Sequence, residues 1–149
     1  MIYDRKIQDV ERAKQIRLEK VQNFLPLTDE EKNILAKGFV GTDTLNRIEF
    51  KQISLKNTLN SMGYYNCEMT HGAWLDVDYF RSSHLKRIFE NARILKDAFF
   101  SYETTPENLD AKYYLEEFNK LEKTLVDIED MIADVTSRYK MCGTFNCGG

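Results

Sequence analysis

The feature that most constrains the fold is a regular spacing of apolar residues near the end of the chain, over residues 110–139. Apolar or aromatic residues follow one another there at steps of four and three, which places them on one face of an α-helix. They are Tyr114, Phe118, Leu121, Leu125, Ile128, Ile132, Val135 and Tyr139. Such a helix would be about 45 Å long, and its apolar face requires other helices to cover it. We predict that Leu121, Leu125 and Ile128, at the middle of this face, are fully buried.

Two further segments repeat this spacing and supply the covering helices. Residues 43–62 carry Leu45, Ile48, Gln52, Leu55, Leu59 and Met62, and residues 78–100 carry Leu85, Ile88, Ala92, Leu95 and Phe99. The shared spacing predicts an all-α fold, in which helices 43–62, 78–100 and 111–139 form an antiparallel bundle. Residues 64–75 lose the spacing and should form an irregular or short hairpin crossover. Trp74 is expected to close one end of the bundle.

The first forty residues predict two shorter helices around this bundle. Asp4 is a candidate N-cap for the first, which should stop before Pro26. Thr28 and Glu31 have the spacing of a capping box and predict that a second helix begins there and ends at Gly38. Gly63 is expected to end the helix over residues 43–62 in a left-handed conformation.

Composition indicates a single domain over residues 1–149 and excludes several kinds of partner. The chain is 42% hydrophobic and 30% charged, with a net charge of −3. An acidic chain lacks the basic face that nucleic acid requires, and no apolar stretch approaches the roughly 18 residues of a membrane span. Residues 1–6 lack the apolar core of a signal peptide, so we expect synthesis in a cytoplasm. We predict no nucleic acid, membrane or small-molecule partner.

Motifs for catalysis are missing from the sequence. There is no glycine-rich phosphate loop, nucleophile elbow or zinc-protease helix. The two histidines, His71 and His84, fall in a loop and at a helix start, where acid–base catalysis by a histidine pair is disfavoured. The sequence therefore predicts a protein that is not an enzyme and needs no cofactor.

One set of residues has the chemistry of a metal site. The spacings C-x3-H and C-x4-C could form a Cys3His zinc site, although ordinary zinc sites have tighter spacings. Three cysteines, an odd number, favour the alternative of reduced, free thiols. The four candidate ligands are Cys67, His71, Cys142 and Cys147.

Short motifs along nearly the whole chain carry a resemblance to a known family. They are Tyr3-Asp4-Arg5, the run from Leu27 to Lys32, the run from Leu45 to Glu49, Trp74, Asp78, Arg87, Asn91, Thr104-Thr105-Pro106 and the run from Asn119 to Glu122. In this order they resemble small structural proteins encoded among the tail genes of phages and prophages of Gram-positive bacteria.

The resemblance implies a non-enzymatic virion component, made in the bacterial host cytoplasm. It would occupy the baseplate or tail-fibre region in multiple copies, in a symmetric assembly with other virion proteins. A head–tail connector (neck) component is one alternative. Another is a helical adaptor or regulator that binds a host or phage protein.

Seven polar residues of these motifs lie beside the apolar faces of the three long helices. An internal network that joins the helices in one register is the favoured interpretation. In the alternative, Arg47 and Arg87 face outward and bind a neighbouring subunit. The seven residues are Asn46, Arg47, Glu49, Arg87, Asn91, Asn119 and Glu122.

The two chain ends carry apolar or aromatic residues without helical spacing. Residues 1–3 include Ile2 and Tyr3, and residues 141–149 include Met141 and Phe145. Both segments are expected to be extended and to contact neighbouring virion subunits, because such ends are poorly ordered unless something holds them. The alternative for residues 141–149 is that they fold back over Trp74 or Tyr65.

Overall fold

The computed structural model describes residues 1–64, 69–70, 72, 74 and 79–143, the last four of these as backbone alone. Within this part of the chain all regular secondary structure is helical, which confirms the all-α prediction. The described residues between the third and fourth helices form no regular structure. The helices are α1 (Ile7–Ile16), which continues as a π-helical turn (Arg17–Val21), α2 (Asp29–Gly38), α3 (Thr42–Ser61), α4 (Ser82–Ala98) and α5 (Leu115–Gly143).

Buried apolar side chains of α3, α4 and α5 form one continuous cluster. Leu121, Leu125 and Ile128 of α5 are each 0% exposed, so the prediction of their burial is confirmed. Trp74 joins the same cluster from the crossover. The cluster also takes in Leu45, Ile48, Leu55 and Leu59 of α3, Leu85, Ile88, Phe89, Ala92 and Leu95 of α4, and Phe118 and Ile132 of α5.

The outer members of the predicted apolar face on α5 lie in solvent. Tyr114 and Tyr139 are 66% and 68% exposed, so their assignment to a buried face is wrong. Tyr114 precedes the first residue of α5, Leu115, and is not part of the helix. For Tyr139 the reason is length: α5 has 29 residues, whereas α3 has 20 and α4 has 17. A helix that is longer than its neighbours extends beyond them at its ends.

Two predicted helix ends that depend on contacts within one turn are confirmed. The Thr28 hydroxyl accepts a hydrogen bond from the Glu31 amide, and the Glu31 carboxylate accepts one from the Thr28 amide, which completes the predicted capping box. Gly63 has a φ of +78°, the left-handed geometry expected just past α3.

Three helix starts differ from prediction. α1 begins after Lys6, because the Asp9 carboxylate accepts a hydrogen bond from the Lys6 amide, whereas Asp4 binds Lys37 at 2.8 Å. This bond to Lys37 lowers the pKa of Asp4. α4 begins at Ser82 rather than near residues 76–78, and α5 begins at Leu115 rather than at 111.

α1 and α2 form a hairpin whose helices pack directly against each other. Ala13 and Ile16 of α1 are buried, and Gly38 of α2 lies against Ala13. Lys20 and Glu31 form a salt bridge of 2.6 Å across the hairpin, and the Arg17 guanidinium lies over the ring of Phe39.

The chain ends differ in part from the prediction. Met1 packs against the central cluster, and the Ile2 amide donates a 2.5 Å hydrogen bond to Glu122, so these residues do have a place in the fold. A backbone amide bound by a distant carboxylate leaves no trace in apolar spacing. At the other end α5 continues to Gly143, so residues 141–143 are helical rather than extended. Phe145 and the rest of residues 144–149 lie outside the described part.

Candidate functional site

Glu122 of α5 is the centre of a buried polar network. Its side chain is 0% exposed and accepts hydrogen bonds from three residues in two separate parts of the chain. They come from the Ile2 amide at 2.5 Å, from Nη2 of Arg5 at 2.5 Å, and from Nη2 of Arg47 at 3.2 Å to both carboxylate oxygens. The network therefore fastens the N-terminal segment and α3 to α5.

Asn119 holds the same N-terminal segment one turn earlier on α5. Its Oδ1 accepts a hydrogen bond from the Arg5 amide at 3.2 Å, and its Nδ2 donates to the Arg5 carbonyl at 2.9 Å. This paired contact fixes the backbone at residue 5 in the way that a strand neighbour would. Arg5 also donates to the Ile2 carbonyl, so both its main chain and its side chain are bound.

Glu49 of α3 is a second buried carboxylate, and it ties the crossover to α4. It accepts hydrogen bonds from Nε1 of Trp74 and from Nη2 of Arg87, each at 2.6 Å. The Arg87 guanidinium also lies 5.7 Å from the centre of the Trp74 ring, a cation–π contact. Glu49 thus holds an aromatic side chain and an arginine from two different segments.

Two asparagines bind the backbone of the crossover. Asn46 donates to the Trp74 carbonyl at 3.0 Å and accepts from the Trp74 amide at 2.8 Å. Asn91 donates to the Thr70 carbonyl at 2.8 Å. Because an asparagine side chain has both a donor and an acceptor, it satisfies backbone groups that have no helix or strand partner.

All seven polar residues of the predicted network make hydrogen bonds within the chain, to the partners given above. Their positions in the sequence explain why these side chains can meet. Arg47 is adjacent to the core residue Ile48, and Glu122 is adjacent to the core residue Leu121, so both lie at the edge of an apolar helix face. The Arg47 and Arg87 side chains are 34% and 25% exposed, and their terminal nitrogens point inward to carboxylates.

Sequence reasoning missed Arg5, whose side chain is fully buried against Glu122. The available signal was its place in Tyr3-Asp4-Arg5, one of the motifs that carry the resemblance. It also missed Thr105, whose hydroxyl donates to the buried Asp127 carboxylate at 2.8 Å. Lys123 binds the other oxygen of Asp127 at 2.5 Å.

The network is built for holding helices together. Ion pairs in a protein interior add little net stability. Removing one member, however, leaves the other charge buried without a partner, which lowers the free energy of unfolding. Around Glu122 two guanidinium groups face one carboxylate, and the buried Nε atoms of both arginines lack hydrogen-bond partners in the described structure.

The four candidate zinc ligands come from the crossover and from the C-terminal segment. Cys67, His71 and Cys147 lie outside the described residues, as does the side chain of Cys142. Among the residues that the structure does describe, no group of three or more His, Cys, Asp or Glu side chains could hold a metal ion. His84 has a local role: its Nδ1 accepts from the Arg81 amide at 3.2 Å, and its ring packs edge-on against Trp74.

No protein-family model, curated protein or solved structure matches this chain. None of the helices in the described part is both long and apolar enough to cross a membrane.

Proposed function

We propose that this protein is a non-enzymatic structural component of a phage virion, present in multiple copies in the baseplate or tail-fibre region. One observation carries the proposal: the polar residues through which the sequence resembles phage tail proteins converge on two buried carboxylates. Arg5, Arg47 and Asn119 converge on or beside Glu122, and Trp74 and Arg87 meet at Glu49. The motifs that carry the resemblance therefore describe an architecture rather than a reaction.

The same network supports a more specific arrangement of the helices. We infer that α3, α4 and α5 form an antiparallel bundle in which the heptad spacing sets the contacts. Each of these helices contacts the other two, and their buried residues form one cluster. The ion pair between Arg47 and Glu122 joins α3 to α5, and the pair between Arg87 and Glu49 joins α4 to α3. A shift in the register of the helices would separate these pairs and leave buried charges without partners.

A particle component benefits from such a fold because it must present the same surface in every copy. Buried polar contacts penalise alternative packings, which favours one conformation over many. Neighbouring virion proteins are the partners that this role requires, and the virion is the location it implies.

Quantitative mass spectrometry of purified particles tests the role. Particles of the phage or induced prophage that encodes this chain should contain it at a fixed ratio to the other tail proteins. A chain that is abundant in infected cells and absent from purified particles would instead be a regulator or adaptor.

Truncation tests whether residues 141–149 make the contact with neighbouring virion proteins. Deletion of residues 144–149 leaves α5 intact, whereas deletion of residues 141–149 also removes its last turn. Both variants should keep the stability of the isolated protein and lose incorporation into particles. Loss of stability in the isolated protein, with normal incorporation of Phe145→Ala, would favour a segment that folds back over Trp74 or Tyr65.

A further inference from the structure

The outward face of α1 and of the π-helical turn that follows it carries an ordered set of exposed residues. Ile7, Glu11, Lys14 and Leu18 follow at steps of four, three and four, which places them on one side of the helix. Ile7 is 74% exposed and Leu18 is 60% exposed. The opposite side of α1 is the one that packs on α2.

The two charged residues at the middle of this face have no partner in the described part of the chain. Neither Glu11 nor Lys14 forms an ion pair or a side-chain hydrogen bond there. Three other lysines of the hairpin do have partners, since Lys20 pairs with Glu31, Lys32 with Asp29, and Lys37 with Asp4. An apolar residue thus lies at each end of the face, with one free charge of each sign between them.

The order of these four residues along the helix makes the face complementary to a second copy of itself that runs in the opposite direction. If two copies of the face meet antiparallel about a twofold axis between residues 12 and 13, Ile7 of each copy lies opposite Leu18 of the other. Glu11 then lies opposite Lys14, twice. A parallel pairing would instead place Glu11 against Glu11 and Lys14 against Lys14, which repel each other.

We propose that this face, defined by Ile7, Glu11, Lys14 and Leu18, is a docking surface for a second copy of the same chain in antiparallel orientation. The contact is isologous, so each copy uses the same residues and the association closes at two. The inference rests on charge and apolar complementarity and does not require the virion role.

The apolar surface continues past the face to the tip of the hairpin. Val21, Leu25 and Phe24 are 40%, 51% and 96% exposed. Phe24 has a φ of +54°, a left-handed conformation that is unfavourable for a residue with a side chain. In the antiparallel pair this tip extends beyond the start of α1 of the other copy, towards its Tyr3, which is 45% exposed.

The size of the contact sets its strength. Residues 7–21 span about 22 Å, and two such helices bury less than the roughly 1,200–2,000 Å² of a stable complex. We expect dissociation in the micromolar range or weaker for the isolated protein. Many copies held in one assembly would make the same weak contact effective, because the local concentration is high.

The proposal is tested by reversing the charges at residues 11 and 14 and measuring dimerisation of the full chain by sedimentation equilibrium. The protein at about 10–500 µM and low salt should populate a dimer. Glu11→Lys and Lys14→Glu each place like charges in both cross contacts and should weaken dimerisation about tenfold or more. The double variant exchanges the two charges, restores the complementarity and should dimerise like the native protein. An equimolar mixture of the two single variants should form a heterodimer.

Controls separate this contact from general charge effects. Glu103→Lys makes the same charge change at an exposed position outside the hairpin and should leave dimerisation unaltered. Far-UV circular dichroism establishes that each variant is folded. A native protein that is monomeric at 500 µM would overturn the proposal. So would single variants that dimerise normally, a double variant that does not recover, or a mixture that gives no heterodimer.

Discussion

Gly38 of α2 lies so close to Ala13 of α1 that no methyl group fits between them. A Cβ added to Gly38 would be 2.2 Å from the Cβ of Ala13 and 2.6 Å from the carbonyl oxygen of Asp9. Real side-chain carbons do not approach one another so closely, so the two helices can cross at this distance only because residue 38 is glycine.

Gly38→Ala should therefore destabilise the hairpin, even though alanine favours helices by about 1 kcal/mol over glycine. Overpacking at a contact of this kind costs about 1–3 kcal/mol, and here the obstacle includes backbone, which yields less than a side chain. Hydrogen exchange should show reduced protection of α1 and α2. Gly41→Ala is the control for steric contact, because a Cβ there meets nothing within 4 Å, and its only expected cost is the loss of a glycine at the N-cap of α3. Equal or greater stability of Gly38→Ala would contradict the observed crossing.

Glu122→Gln should lower the free energy of unfolding by about 3–5 kcal/mol, because it leaves the buried Arg5 and the half-buried Arg47 without a counter-charge. The amide keeps the shape of the carboxylate, so the loss reports on charge rather than volume. Glu129→Gln removes a carboxylate that is 53% exposed and pairs with Lys51, and it should cost only about 0–1 kcal/mol. Denaturant titrations of both variants measure the difference. Similar values would place the Glu122 network in contact with water.

Leu125→Ala should cost about 2–5 kcal/mol, because it removes a fully buried side chain and leaves a cavity among α3, α4 and α5. Phe50→Ala is the control on a helix surface, since Phe50 is 66% exposed, and it should change stability by less than about 0.5 kcal/mol. Urea titration at constant pH compares the two. A loss below about 0.5 kcal/mol for Leu125→Ala would contradict the common core.

Tyr102 donates a 2.5 Å hydrogen bond to Asp134, and this bond raises the pKa of Tyr102 to about 12. The folded-state pKa lies above the ordinary value of 10.0, so the stabilisation is fully present below pH 10 and is lost as pH rises through about 12. Ultraviolet titration of tyrosinate, as the difference between the native protein and Tyr102→Phe, isolates this group. Asp134→Asn should return its pKa towards 10, whereas Asp130→Asn should move it much less. A Tyr102 that ionises near pH 10 in the native protein would show that the bond is not maintained in solution.

The core could be predicted from the sequence because apolar spacing records directly which side of a helix is covered. Leu121, Leu125 and Ile128 are buried as their spacing requires, and Thr28 and Glu31 cap α2 through contacts within one turn. The start of α1 could not be predicted in this way. Asp4 is a good N-cap by type, but it binds Lys37, which is 33 residues away in the sequence.

The polar network shows the same limit. That polar residues beside the apolar faces would meet follows from their positions, but the choice of partners depends on tertiary structure. Glu122 has room for a second arginine, and Arg5 fills that place from a segment with no periodicity at all. The hydrogen bonds that the backbones of Ile2 and Trp74 make to distant side chains could not be predicted from the sequence either, because every residue except proline has an amide that can donate.

The double hydrogen bond between Asn119 and Arg5 joins residues 114 positions apart, so it has a consequence for the order of events during synthesis. Chains leave the ribosome from the N-terminus, and Arg5 emerges long before the helix that will bind it. Closing so large a loop costs entropy that is recovered only when α5 has formed against its neighbours. The first residues therefore cannot dock before α5 has been synthesised, although they are the first to leave the ribosome.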